Sequence, residues 1–211
     1  MVDPDRMRMR NLQVIPLDSV QRESKGDVYG GFRKKVSEFN PDLIAITSTE
    51  STFLLGTSIL SALGDKRPRT VLGGVFATFA PELALRYPEI DMVVCGEGER
   101  SLVLLCKAIE NGEDYSSVPG LYLKLKDGSI KKNPLPLTTN IEENPTDLDI
   151  SLFDSHRLIR PLGYRRWRML SVETHRGCPY PCGFCNSPSQ NRLADEHGIG
   201  KFFRKKSPEK V

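Results

Sequence analysis

The chain has 211 residues, 38% of them apolar and 27% charged, with 17 Gly and 15 Pro. That composition suits one sizeable core or two small domains and excludes a disordered tail or a collagen-like repeat. The net charge of +3 is too near balance to mark a polyanion-binding protein.

The charge is unevenly divided: residues 151–211 hold 12 Lys and Arg against 5 Asp and Glu, whereas residues 1–150 hold 18 against 22. No apolar run approaches the ~18 residues of a membrane helix, and Met1–Arg10 lacks the apolar stretch of a secretory signal. A cytoplasmic protein is expected.

From Asn11 to about Gly112, short β-branched runs alternate with longer amphipathic stretches, the pattern of βα units feeding a parallel sheet. Leu12–Leu17 reads as a strand, and Val28, Phe32, Val36 and Phe39 recur at helical spacing after it. Asp42–Ser48 is an apolar run closed by hydroxyls, a strand buried on both faces, followed by a helix from Thr52 to about Leu63. Thr70–Gly74 is a third strand ending in two glycines, and Pro81 suits the first turn of a helix. Met92–Cys95 is a fourth strand. It leads through Gly96-Glu97-Gly98-Glu99 into a helix with Leu102, Leu105, Cys106 and Ile109 on one side, stopped by Gly112.

Leu121–Lys126 and Ser129–Lys132 flank Asp127-Gly128, which predicts a hairpin with a two-residue turn and positive φ at both central positions. Asn133–Asp149 carries Pro134, Pro136 and Pro145 and reads as an extended surface connector. These signals place a first domain over residues 1–132, a linker over 133–167 and a second domain over 168–211, opening with a strand at Arg168–Thr174.

Three of the five cysteines, Cys178, Cys182 and Cys185, fall within eight residues at C-x3-C-x2-C spacing, which fits metal ligation in a reducing compartment better than a disulfide framework. Gly177, Pro179, Pro181 and Gly183 permit the tight turns that would aim three thiolates at one centre. Zinc needs a fourth ligand, for which His175 or His197 is a candidate; three thiolates on a four-iron cluster leave one iron open. Cys95 and Cys106 sit at apolar positions of a strand and a helix and read as small core residues.

With Phe184 before its last cysteine, the loop resembles the C-x3-C-x-aromatic-C motif of the radical S-adenosylmethionine (SAM) enzymes. The resemblance implies that Cys178, Cys182 and Cys185 hold a [4Fe-4S] cluster and that Phe184 lies near the adenine of SAM. It also implies reductive cleavage of SAM to methionine and a 5′-deoxyadenosyl radical, with electrons from a donor such as flavodoxin or ferredoxin.

The preceding order of Thr47-Ser48, Gly73-Gly74 and Gly96–Glu99 within a βα sheet resembles the cobalamin-binding subclass of that superfamily. The implied fold is α/β, a Rossmann-like (flavodoxin-like) parallel sheet followed by the start of a radical SAM partial TIM barrel. Thr47, Ser48, Gly73, Gly74, Glu97 and Gly98 are the implied cobalamin contacts, at the carboxyl ends of strands where α/β sheets take ligands.

Many such domains carry an Asp-x-His-x-x-Gly loop, yet the first histidine here is His156, so cobalamin would bind without histidine ligation from the first domain. The implied chemistry is methyl transfer or rearrangement of a small organic substrate. The alternative is a non-catalytic Rossmann-like module with a zinc-binding cysteine tail, and a third reading is a subunit completed by another polypeptide. A barrel of βα units needs about 200 residues. The stretch from Arg168 to Val211 is much shorter, so the chain is expected to be the amino-terminal part of a longer enzyme and inactive alone. The basic runs Arg165-Arg166 and Arg204–Lys206 read as a solvated face, and neither RNA nor a membrane is an expected partner.

Overall fold

In the computed structural model, residues 25–143, 150–152 and 158–211 are described. The expected strand at Leu12–Leu17, Pro145 and His156 lie outside them. The chain divides into two compact units, one built from Glu23–Asn140 with Gly177–Arg204, the other including Ile141–Arg176 and Lys205–Val211.

The first unit is an α/β sandwich. Helix α1 (Lys25–Phe39) precedes strand β1 (Leu43–Thr47), helix α2 (Glu50–Ser61) and strand β2 (Arg69–Gly73). Short helices α3 (Val75–Phe79) and α4 (Pro81–Ala84), strand β3 (Met92–Val94) and helix α5 (Gly98–Asn111) follow. Strands β4 (Leu121–Lys124) and β5 (Ile130–Lys132) close a five-stranded sheet of order β1-β2-β3-β4-β5. The first three strands are parallel, with Leu43 opposite Arg69 and Val71 opposite Met92; β4 and β5 run antiparallel.

Alternation along the strands divides the core between two faces. Leu72 and Val93 join Phe53, Leu60, Ala77 and Leu85 on one side, while Val71, Met92 and Val94 join Leu105, Leu121 and Leu123 on the other. Burial on both faces explains why β2 and β3 read as continuous apolar runs; β1, expected to be buried on both faces, instead has Ala45 and Thr47 exposed and no fully buried residue. At the amino end of β3, Arg67 grips Asp91 through two hydrogen bonds of 2.6 and 3.0 Å. Burial alone would raise the Asp91 pKa; the Arg67 and Thr70 hydrogen bonds outweigh it and hold the carboxyl below its usual range.

Several local expectations change. The β4–β5 turn is not a two-residue loop: Leu125 N–H donates to Ser129 O, Gly128 N–H to Leu125 O, and only Gly128 has positive φ, at 85°. This is the three-residue turn with glycine in the left-handed position, chosen because the Asp127 carboxylate caps the Ser129 N–H and hydroxyl. In α5 the buried positions are Ser101, Leu105 and Ala108, so Cys106, one residue round from Leu105, faces solvent rather than the core. Phe39, at the last position of α1, is likewise exposed.

The segment after β5 is packed rather than laid over the surface. Asn133 is buried and donates to Ser116 O and Val118 O, Pro134 O accepts from Gly120 N–H, and Leu135 packs on the core. Residues 169–174 form no strand. In the second unit, strand β6 (Ile159–Leu162) pairs antiparallel with β7 (Arg165–Arg168) through a tight turn at Gly163-Tyr164, both at positive φ. The turn hides in the sequence because tyrosine is an uncommon left-handed residue.

Candidate functional site

The parallel strands end together, and their carboxyl ends gather Thr47, Ser48, Gly73, Gly74, Glu97 and Gly98 around the turns that follow β1, β2 and β3. Ser48 is buried, yet its hydroxyl has no hydrogen-bond partner among the described residues. Buried hydroxyls rarely stay unpaired, since desolvation without a partner costs about 1–3 kcal/mol. A ligand oxygen or nitrogen at this edge would relieve that cost.

The two glycines differ. Gly74 has φ of 94°, and a Cβ there would lie 2.7 Å from Thr47 Oγ1 and 2.8 Å from Ser48 O. It is glycine because the β2–α3 turn lies against the β1–α2 turn. At Gly73 the nearest atom to such a Cβ is Ile46 O at 3.9 Å, and at Gly98, the first residue of α5, nothing lies within 4 Å. Both positions leave the backbone open to close approach, which with the Ser48 hydroxyl suits the contacts that the resemblance implies for cobalamin.

Glu97 has a different partner from the one expected. Its carboxylate is gripped by the Arg204 guanidinium and accepts the Thr139 N–H at 2.6 Å, so it ties the chain to itself. Arg204, expected within a solvated basic run, is instead largely covered and paired with Glu97, a partner 107 positions away and beyond the reach of local pattern.

The cysteine loop belongs to this same unit. Cys182 and Cys185 are exposed and Cys178 is half-buried; all three are free thiols. Cys185 N–H donates to Cys182 O at 3.2 Å, and its sulfur accepts from Ser187 N–H at 3.4 Å, at the start of helix α6 (Ser187–Glu196). Phe184 is 94% exposed. Among the described residues no three His, Cys, Asp or Glu side chains converge closely enough to hold a metal. The donor set fits a cluster in kind only, three sulfurs on one short loop. His175 is exposed and its Nδ1 is engaged with the Thr174 hydroxyl at 2.9 Å; His197 is also exposed.

Residues 14–105 match the B12 binding domain family. The chain is 32% identical to an uncharacterized methyltransferase of Pyrococcus horikoshii over 189 residues, covering 87% of this chain and 38% of that protein. It is 29% identical over 192 residues to the anaerobic magnesium-protoporphyrin IX monomethyl ester cyclase of Cereibacter sphaeroides, covering 81% and 31%. These matches support the resemblance to the B12-binding subclass of the radical SAM proteins.

Its fold is shared with the radical S-adenosylmethionine methyltransferase TsrM of Kitasatospora setae, solved with cobalamin and a [4Fe-4S] cluster. The TM-score is 0.58 at 20% identity, over 88% of this chain and 36% of that one. The chain thus spans about a third of the length of these relatives. Among its described residues no helix is long and apolar enough to cross a membrane.

Proposed function

We propose that the chain supplies the cobalamin-binding domain and the cluster loop of a radical SAM enzyme acting on a small organic substrate, with methyl transfer favoured over rearrangement. The observation that carries this reading is the placement of the cysteine segment. The C-x3-C-x-Phe-C loop lies in the same compact unit as the sheet, and the segment that leaves it returns to the strands' carboxyl ends, where Ser48 and Gly73 are.

When bound, the cluster supplies the electron that cleaves SAM, and cobalamin supplies a methyl group. Cys178, Cys182 and Cys185 would hold three irons and leave the fourth open to SAM. Phe184, exposed beside the last ligand, offers a flat apolar face suited to adenine. Ser48 would donate to the cobalamin side chains or tail, and Gly73 and Gly98 would admit the macrocycle close to the backbone. Residues 1–132 contain no histidine, so no lower axial ligand would come from that domain. An electron donor of the flavodoxin or ferredoxin type is the expected partner.

The test is to reconstitute the chain anaerobically with iron and sulfide, then measure hydroxocobalamin binding and the electron paramagnetic resonance of the reduced cluster with and without SAM. The reading expects stoichiometric cobalamin, at least about tenfold weaker binding in Gly73→Val, and a SAM-dependent change in the cluster signal. Absence of both cobalamin binding and the SAM response would overturn it.

A further inference from the structure

The Arg204 and Glu97 side chains are only 13% and 21% exposed, although neither belongs to the hydrophobic core. Arg204 reaches both oxygens of the Glu97 carboxylate and also donates to Thr139 O at 2.7 Å. Glu97 in turn accepts the Thr139 N–H. A forked guanidinium on a carboxylate fixes orientation as well as distance, and partial burial protects it from the screening that weakens surface pairs.

Each side of the pair is anchored. On the sheet side, Gly96 N–H donates to Thr78 Oγ1 at 3.1 Å, and Thr78 donates through both its N–H and its hydroxyl to Gly74 O, so the Glu97 turn is tied to the glycine turn after β2. On the loop side, Gly177, at φ of 86°, lies directly against the Phe202 carbonyl, so the segment carrying the three cysteines is closed at its base two residues before Arg204. Thr138 N–H donates to Ile199 O at 2.7 Å, adding a second tie between the segment after β5 and the one after α6.

We infer that Glu97 and Arg204 are positioning residues that fix the closed cysteine loop against the carboxyl ends of the parallel strands. Their bearing on a cluster and cobalamin rests on the function proposed above; the clamp itself does not. A glutamate expected to touch the ligand instead sets where the cysteine loop stands relative to it.

Hydrogen exchange of the cofactor-free chain tests the clamp. In Glu97→Gln and Arg204→Gln, amides of residues 177–204 and of Thr139 should exchange on the order of tenfold faster than in wild type, the scale of one charged hydrogen bond. Amides of β1–β3 should keep their protection, and Arg204→Lys, which retains charge but not the fork, should fall between. Unchanged exchange over 177–204 would overturn the inference, as would loss of protection in β1–β3 in step with it, outright unfolding included.

A second arm uses the loaded protein: the dipolar distance distribution between the reduced cluster and cob(II)alamin should broaden or shift in Glu97→Gln at unchanged loading. An unaltered distribution would contradict a positioning role. Failure of wild type to take up either cofactor would count against the proposed function, while the exchange experiment would still decide the clamp.

Discussion

Cys95 follows β3 and is buried with its thiol donating to Ala77 O at 3.6 Å, whereas the three loop cysteines and Cys106 are reachable from solvent. Burial pushes the Cys95 thiol up to about 12, so at neutral pH it remains protonated and shielded. A thiol titration of the reduced, metal-free native chain should therefore find four reactive groups, with the fifth appearing only in denaturant. Five rapid equivalents would contradict the placement of Cys95. The apolar run Met92–Cys95 made its burial legible. That of Cys106 was misread because an apolar stripe drawn from sequence is wider than the stripe the packing uses. Ser101, not Cys106, faces inward, because its hydroxyl has Pro119 O as a partner at 2.7 Å.

Parallel strands and their helices were legible from run length and punctuation: β1, β2 and β3 fall within one or two residues of the expected strands, and Gly112 ends α5 at φ of 68°. Turns were less so, since Asp127-Gly128 suits two hairpin types and a side-chain cap decides between them. The Arg168–Thr174 expectation failed because the ladder ends at the Ile159–Arg168 pair, with only Met169 N–H continuing to Leu158 O, and Met169, Leu170 and Val172 are exposed. The glycine after β2 carries a sharper expectation. Gly74→Ala would force a Cβ to within 2.8 Å of the Ser48 carbonyl oxygen in a left-handed conformation, and should cost about 2–4 kcal/mol. Gly64→Ala, also at positive φ but with nothing within 4 Å, should cost only about 1 kcal/mol. Equal losses in urea denaturation would show that φ, not the close approach of the two turns, dictates glycine at position 74.

At the scale of the whole chain, the segment bearing the cysteines packs in one unit with the sheet, although the sequence signals placed a domain boundary between them. That boundary was drawn from prolines and sparse apolar residues, which mark an irregular backbone without saying what it packs against. Asn133, Leu135 and Thr139 show that irregular backbone can be as well anchored as a strand. The cysteine spacing, by contrast, is a local feature, three thiols on one turn-rich loop, and is read directly from the sequence. Iron and acid-labile sulfide analysis of the anaerobically reconstituted chain tests this account most directly, with Cys178→Ala, Cys182→Ala and Cys185→Ala as controls. The expected result is about four irons and four sulfides per chain, with broad visible absorption lost in each variant. A colourless protein holding a single zinc would contradict it.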